Sequence, residues 1–180
     1  MALLLTLAAV YVPRSIRRRK LEVLSRATAD AFRATEPCLR DCSPDECLRL
    51  YAEFTREQAE RAIRNGSEQE VRARLYQNAY RLGRQLKSDY RVGRTDIMRA
   101  GSIVYRMLGI DFKGTPGGEI TISRCFFSTY YSSHVCELIS SLDEGLLVGL
   151  AGEGKLSFHQ RITEGAQCCL AHLKTGEGAA

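Results

Sequence analysis

The sequence contains no apolar run long enough to cross a bilayer. Its first twelve residues, MALLLTLAAVYV, are almost wholly apolar, but a spanning helix takes about 20 such residues. They do not form an export signal either, because the positive charge follows the apolar stretch instead of preceding it. There is no internal repeat and no low-complexity segment. A broad basic face is also missing. Lys and Arg outnumber Asp and Glu by 26 to 21, yet Arg14, Arg17, Arg18, Arg19 and Lys20 account for the whole excess. The remaining body is neutral, which argues against a nucleic-acid partner. No standard zinc motif occurs: a structural zinc site takes four ligands, usually with at least one C-x2-4-C pair, and Cys38, Cys42 and Cys47, which run C-x3-C-x4-C, supply at most half of one. Seven cysteines are an odd number, so a full disulfide framework is excluded. Reduced thiols in a cytoplasm-like compartment, with no metal and no cofactor, are the expectation.

What the chain does contain is enough for one domain of ordinary core size. Residues 1–20 stand apart as an apolar arm, Pro13 and the basic cluster. They read either as an arm packed on the domain or as an interfacial anchor, with arginines on anionic headgroups. Residues 21–173 form a single α+β domain: a helical N-terminal two-thirds packed on a small antiparallel sheet from the C-terminal third. Residues 174–180 are expected to be a disordered tail.

Helical spacing begins at Leu21, Leu24 and Ala31 and stops before the turn formers of 35–44. Ser43-Pro44-Asp45-Glu46 has the form of a capping box with proline at the first helical position. The helix it opens reaches Arg64. Asn65-Gly66-Ser67 is a helix boundary, although it also has the form of a glycosylation acceptor. A third helix carries Val71, Leu75, Ala79, Leu82 and Leu86 on one stripe. Gly93 interrupts it, and Thr95 opens a fourth segment that closes at Gly109. Gly114 to Gly118 is a loop, and 119–127 alternates as a strand. Ser132 or Ser133 opens a helix with Val135, Leu138, Leu142 and Leu146 inward. Two strand-like runs, 155–161 and 166–173, flank a turn at Ile162-Thr163-Glu164-Gly165.

Candidate chemistry lies in this last third. Cys136 sits near a helix N-terminus, where backbone N–H groups lower a thiol pKa; the alternative is that Cys125 and Cys136 fill the core. Cys168 and Cys169 alternate in facing, so one points inward. An inward thiol near Glu164 would make a nucleophile and acid/base pair. The plainer reading is a turn whose glutamate caps a backbone donor. Cys38 and Cys42 could also supply half a metal site, completed by Cys168, Cys169 or His172.

The stretch ITEGAQCC, with Glu164, Gly165, Ala166 and Cys169 in register, resembles the C-terminal signature of the L-2-amino-thiazoline-4-carboxylic acid hydrolase family. The strand bearing Cys125 and the helix bearing Asp143 and Gly145 resemble that family's preceding block. The likeness spans Met98 to Leu173; where the family carries a cysteine before the helix aspartate, this chain has Ser140 and Ser141. The resemblance implies hydrolysis of a C–N bond in a cyclic amidine-like small molecule. Cys169 would be nucleophile, Glu164 proton donor and acceptor, and Asp143 the group orienting an ammonium or water. Cys125 would line the pocket, and Arg161 or Arg124 would pair with a substrate carboxylate. His134 and His159 are alternative acid/base groups. Domains of the four-vinyl-reductase type also end in a Glu, Gly and Cys strand pair. That likeness implies a non-catalytic sensor for a small ligand or a metal.

Overall fold

The computed structural model describes residues 13–39 and 42–176. The expected anchor residues 1–12 and the last four residues of the expected tail lie outside them. Helix α1 (Arg14–Phe32) is followed by α2 (Pro44–Arg64), α3 (Glu68–Asp89) and α4 (Ile97–Met107). Strands β1 (Ile110–Gly114) and β2 (Glu119–Cys125) come next, then α5 (Ser133–Ala151), β3 (Lys155–Gln160) and β4 (Cys169–Lys174). The four strands form one antiparallel sheet in the order β1-β2-β4-β3. Fold class α+β is thus the observed architecture. No helix among the described residues is long and apolar enough to cross a membrane.

Caps and breakers set the helix limits. Ser43 Oγ accepts the Glu46 N–H at 3.3 Å and Pro44 occupies the first turn, while Ser132 Oγ accepts from Val135 at the start of α5. The boundary expected at residue 20 falls inside α1, which runs unbroken from Arg14. Arg17 ties that end down: its Nε–H donates to the Met107 carbonyl at 2.7 Å and its guanidinium pairs with Asp45. Strand β1 was not expected. Its alternation, Ile110 and Phe112 buried against Asp111 and Lys113, is too short to stand out beside the helix before it.

Helices α3 and α5 make the tightest seam, and glycine is the reason. A Cβ on Gly83 would stand 2.3 Å from the Leu146 carbonyl oxygen, one on Gly145 2.2 Å from that of Tyr76, and one on Gly149 2.4 Å from that of Tyr80. The two backbones touch where side chains would hold ordinary helices 8–10 Å apart.

Cys42 and Cys47 are joined in a disulfide with Cα atoms 5.5 Å apart. The spacing C-x4-C across the entry into α2 brings them within bridging range. The expectation that all thiols are reduced fails there, and with it the half metal site on Cys42. No group of metal-ligating side chains occurs among the described residues.

Candidate functional site

A cavity of about 620 Å³ runs between α1, α3, α4 and α5 and ends against the sheet. Its walls are mainly aliphatic and aromatic: Leu24, Leu82, Val104, Ile110, Phe127 and Ile139 among others. The deep end carries Cys125, Cys136, Asp143 and Cys169.

Each of these is placed by a distinct local device. In β2, Ile122 lies opposite Phe112, but Cys125 lies opposite Ile110, because a bulge interrupts the register between Asp111 and Phe112. Two residues, Ser123 and Arg124, occupy the space of one, and the phase of alternation slips. Without the slip Arg124 would share the face of Ile120 and Ile122, and Cys125 would look outward. Cys169 opens β4 opposite Ile122, so it faces the core; its Sγ accepts the Ile162 N–H at 3.4 Å. Cys136 and Asp143 lie two helical turns apart on α5, facing the cavity.

Asp143 accepts a hydrogen bond from the Tyr105 hydroxyl at 2.8 Å. Burial disfavours its charge and pushes its pKa up to about 6, against the pull of that hydrogen bond and of the Arg161 guanidinium. Burial likewise pushes the Cys125 thiol up to about 12, and raises Cys136 and Cys169. Of the two readings of Cys136, activation at a helix N-terminus or a place in the core, the raised pKa favours the second: desolvation is its largest cause, and the thiols stand protonated at neutral pH.

Glu164 is not on the cavity wall. Its exposed carboxylate accepts the Arg161 backbone N–H at 3.1 Å and pairs with the Arg161 guanidinium at 3.3 Å. The convergence of Cys125, Asp143, Glu164 and Cys169 expected from topology therefore holds for three of the four. A short 3-10 turn over Ile162–Glu164, closed by Gly165 at φ +90°, bends the carboxylate back onto its own N-cap. Arg161 is largely buried with its guanidinium 4.7 Å from the Phe158 ring centre, and its charge reaches Asp143, Cys136 and Cys169. Arg124 is exposed and lies opposite Asp111 on the outer face of the sheet. Cys168 faces away, beside Gln160. None of His134, His159 and His172 touches the cavity.

Sequence reasoning missed the tyrosines. Tyr105, Tyr51 and Tyr131 all reach the cavity and are buried. Each hydroxyl is partnered: Tyr105 to Asp143, Tyr51 to Thr28 and Tyr131 to Thr55. A tyrosine on an apolar helical stripe is the available signal, since its buried O–H requires a partner.

No protein-family model matches the chain, and no curated protein matches it.

Proposed function

We propose that the chain is a binding module for a small lipophilic molecule carrying one hydrogen-bonding end, a hydroxyl or an amine. One observation carries the reading: an apolar cavity of about 620 Å³ whose deep end holds the buried carboxyl of Asp143. That volume is in the range of small-molecule sites, about 300–1,000 Å³, and the pairing of apolar walls with few polar groups is their usual composition. The apolar body of the ligand lies along Leu24, Leu82, Val104 and Ile139, and its polar end meets Asp143. Three protonated thiols around that carboxyl suit contact with an apolar body better than attack on an electrophile.

Titration with N-phenyl-1-naphthylamine, an apolar fluorophore bearing one N–H, tests this. Saturable enhancement is expected, weakened at least tenfold by Ile139→Trp, which fills the cavity. Absence of saturable binding, or equal binding by the filled variant, refutes the reading.

Asp143 also favours a second reading, the C–N hydrolysis of a cyclic amidine-like substrate implied by the family resemblance. A carboxyl with a pKa near 6 among thiols is tuned for general acid/base work near neutrality. In this version Asp143 takes the proton-transfer role, since Glu164 is engaged with Arg161. Mass-spectrometric turnover of thiazoline-carboxylates and related cyclic amidines decides it: loss of turnover in Asp143→Asn but not in Glu164→Gln is the expected pattern. No turnover by the unaltered protein removes this reading.

A further inference from the structure

The described residues expose four large hydrophobic side chains, and three of them, Ile16, Val23 and Tyr90, stand on the rim of the cavity. Exposed single apolar residues are ordinary. Three of four around one opening is a pattern. Helical spacing explains how α1 delivers it: Ile16, Arg19, Lys20, Val23 and Leu24 recur at three- and four-residue intervals and share the face that lines the opening. Tyr90 comes from the C-terminal end of α3, with the Lys20 ammonium 5.4 Å from its ring centre.

The same rim carries two cations. Arg19, exposed, and Lys20, half-buried, line the opening, whereas helical spacing puts the exposed Arg14 and Arg18 on the opposite face of α1. The acids nearby are Glu22, which pairs with Arg18, and Asp89 on the rim. Arg17 points elsewhere, to Met107 and Asp45. In the remainder of the sequence basic and acidic residues balance, so the excess cationic charge of the protein is gathered on α1, and two of its charges stand at the mouth of the apolar cavity. Cationic groups interspersed with exposed apolar and aromatic side chains complement an anionic bilayer surface: the charges meet headgroups and the apolar groups pass below them. An acidic protein surface would match the charge but leave Ile16 and Val23 in water.

We propose that this rim docks on an anionic lipid membrane and that the cavity takes its ligand from that membrane, polar end first toward Asp143, with the apolar body trailing toward the bilayer. The docking step stands by itself; the loading step rests on the binding-module reading above.

The test uses the full chain, in flotation with vesicles of phosphatidylcholine alone and of phosphatidylcholine mixed with phosphatidylglycerol. Binding to the mixed vesicles only, weakened by added salt, is expected. Each basic residue at an anionic surface contributes about a fivefold gain in affinity. The charge variant, Arg19→Gln with Lys20→Gln, should therefore bind about 25-fold more weakly. A double variant, Ile16→Ser with Val23→Ser, should lose vesicle binding while keeping its melting temperature. Fluorophore placed in mixed vesicles should load the unaltered protein faster than the charge variant, by more than any difference between their affinities for it in solution. Vesicle binding that is indifferent to the charge variant overturns the docking surface, because another part of the chain then carries it. Equal affinity for soluble polyglutamate and for mixed vesicles also overturns it, since charge alone would then suffice. If the fluorophore saturates the protein in solution but vesicles are not bound, only this inference fails; if it does not saturate the protein, the binding-module reading fails first.

Discussion

Replacing Gly149 by alanine places a Cβ 2.4 Å from the Tyr80 carbonyl oxygen, 3.0 Å from Gly83 Cα and 3.1 Å from Arg84 N. All three are backbone atoms, so no rotamer change relieves them. Ordinary contact begins at 3.4 Å, and α3 and α5 must separate by about 1 Å where they are closest. Overpacking of this kind costs typically 1–3 kcal/mol. Because two hydrogen-bonded helices must move together, the upper end applies, about 3 kcal/mol. Alanine returns about 1 kcal/mol as the better helix former. The net loss is about 2 kcal/mol, which for a chain of this size lowers the melting temperature by roughly 4–8 °C. Thermal unfolding followed by circular dichroism measures it, with Gly93→Ala as the control. Gly93 has φ −74°, and its added Cβ meets only Asp96 Oδ2 at 3.5 Å. That variant should be neutral or slightly stabilised, by up to about 1 kcal/mol, through a less flexible unfolded chain. If Gly149→Ala melts at or above the temperature of the unaltered protein, the account of the α3–α5 seam is wrong.

The carboxyl of Asp143 titrates near 6 in the fold against an ordinary value of 3.8, so the folded chain holds a proton that the unfolded chain releases between those values. The stability this contributes is fully present below pH 3.8 and is lost as pH rises through 6. Asp143→Asn escapes the loss: its stability advantage over the unaltered protein should grow between pH 4 and 6 and level off at about 3 kcal/mol, at 1.36 kcal/mol per pKa unit. A difference that does not vary with pH would refute the burial of that charge. For the thiols, intact-mass analysis after alkylation in denaturant should count five additions without reductant and seven with it, given one Cys42–Cys47 bridge among seven cysteines. In the native protein Cys38, which is exposed, should react first, with Cys125 far slower because burial holds its proton; fast labelling of Cys125 would contradict the desolvation of its thiol.

The helices were legible because their signals are local. Periodic leucines, Ser43 and Ser132 as caps, and Gly109 as a stop each act within a turn or two of chain. The first helix nonetheless begins at Arg14, ahead of the boundary drawn at residue 20, because a run of arginines gives no apolar stripe to read. The candidate site was legible in part. Cys125, Asp143 and Cys169 were named together from topology and resemblance, and all three reach one cavity. Glu164 did not join them, since a carboxylate three residues past an extended N-cap has a nearer partner in that residue's own N–H. The cavity itself was not readable, because its walls come from four helices whose stripes look like ordinary core positions. Its rim was half readable: the basic cluster stood out in the sequence, whereas Val23 and Tyr90 gained meaning only from their place beside the opening.

The bulge in β2 carries a consequence for descent. Closing it by losing one residue, Ser123 or Arg124, leaves Ile122 and Cys125 facing the core as they do now. An insertion or deletion elsewhere in the strand reverses the facing of the residues beyond it and sends the thiol outward. Related chains are therefore free to differ in length at this one point of the strand and at no other, and a single-column gap after Ile122 in an alignment would mark kinship that a count of identical residues overlooks.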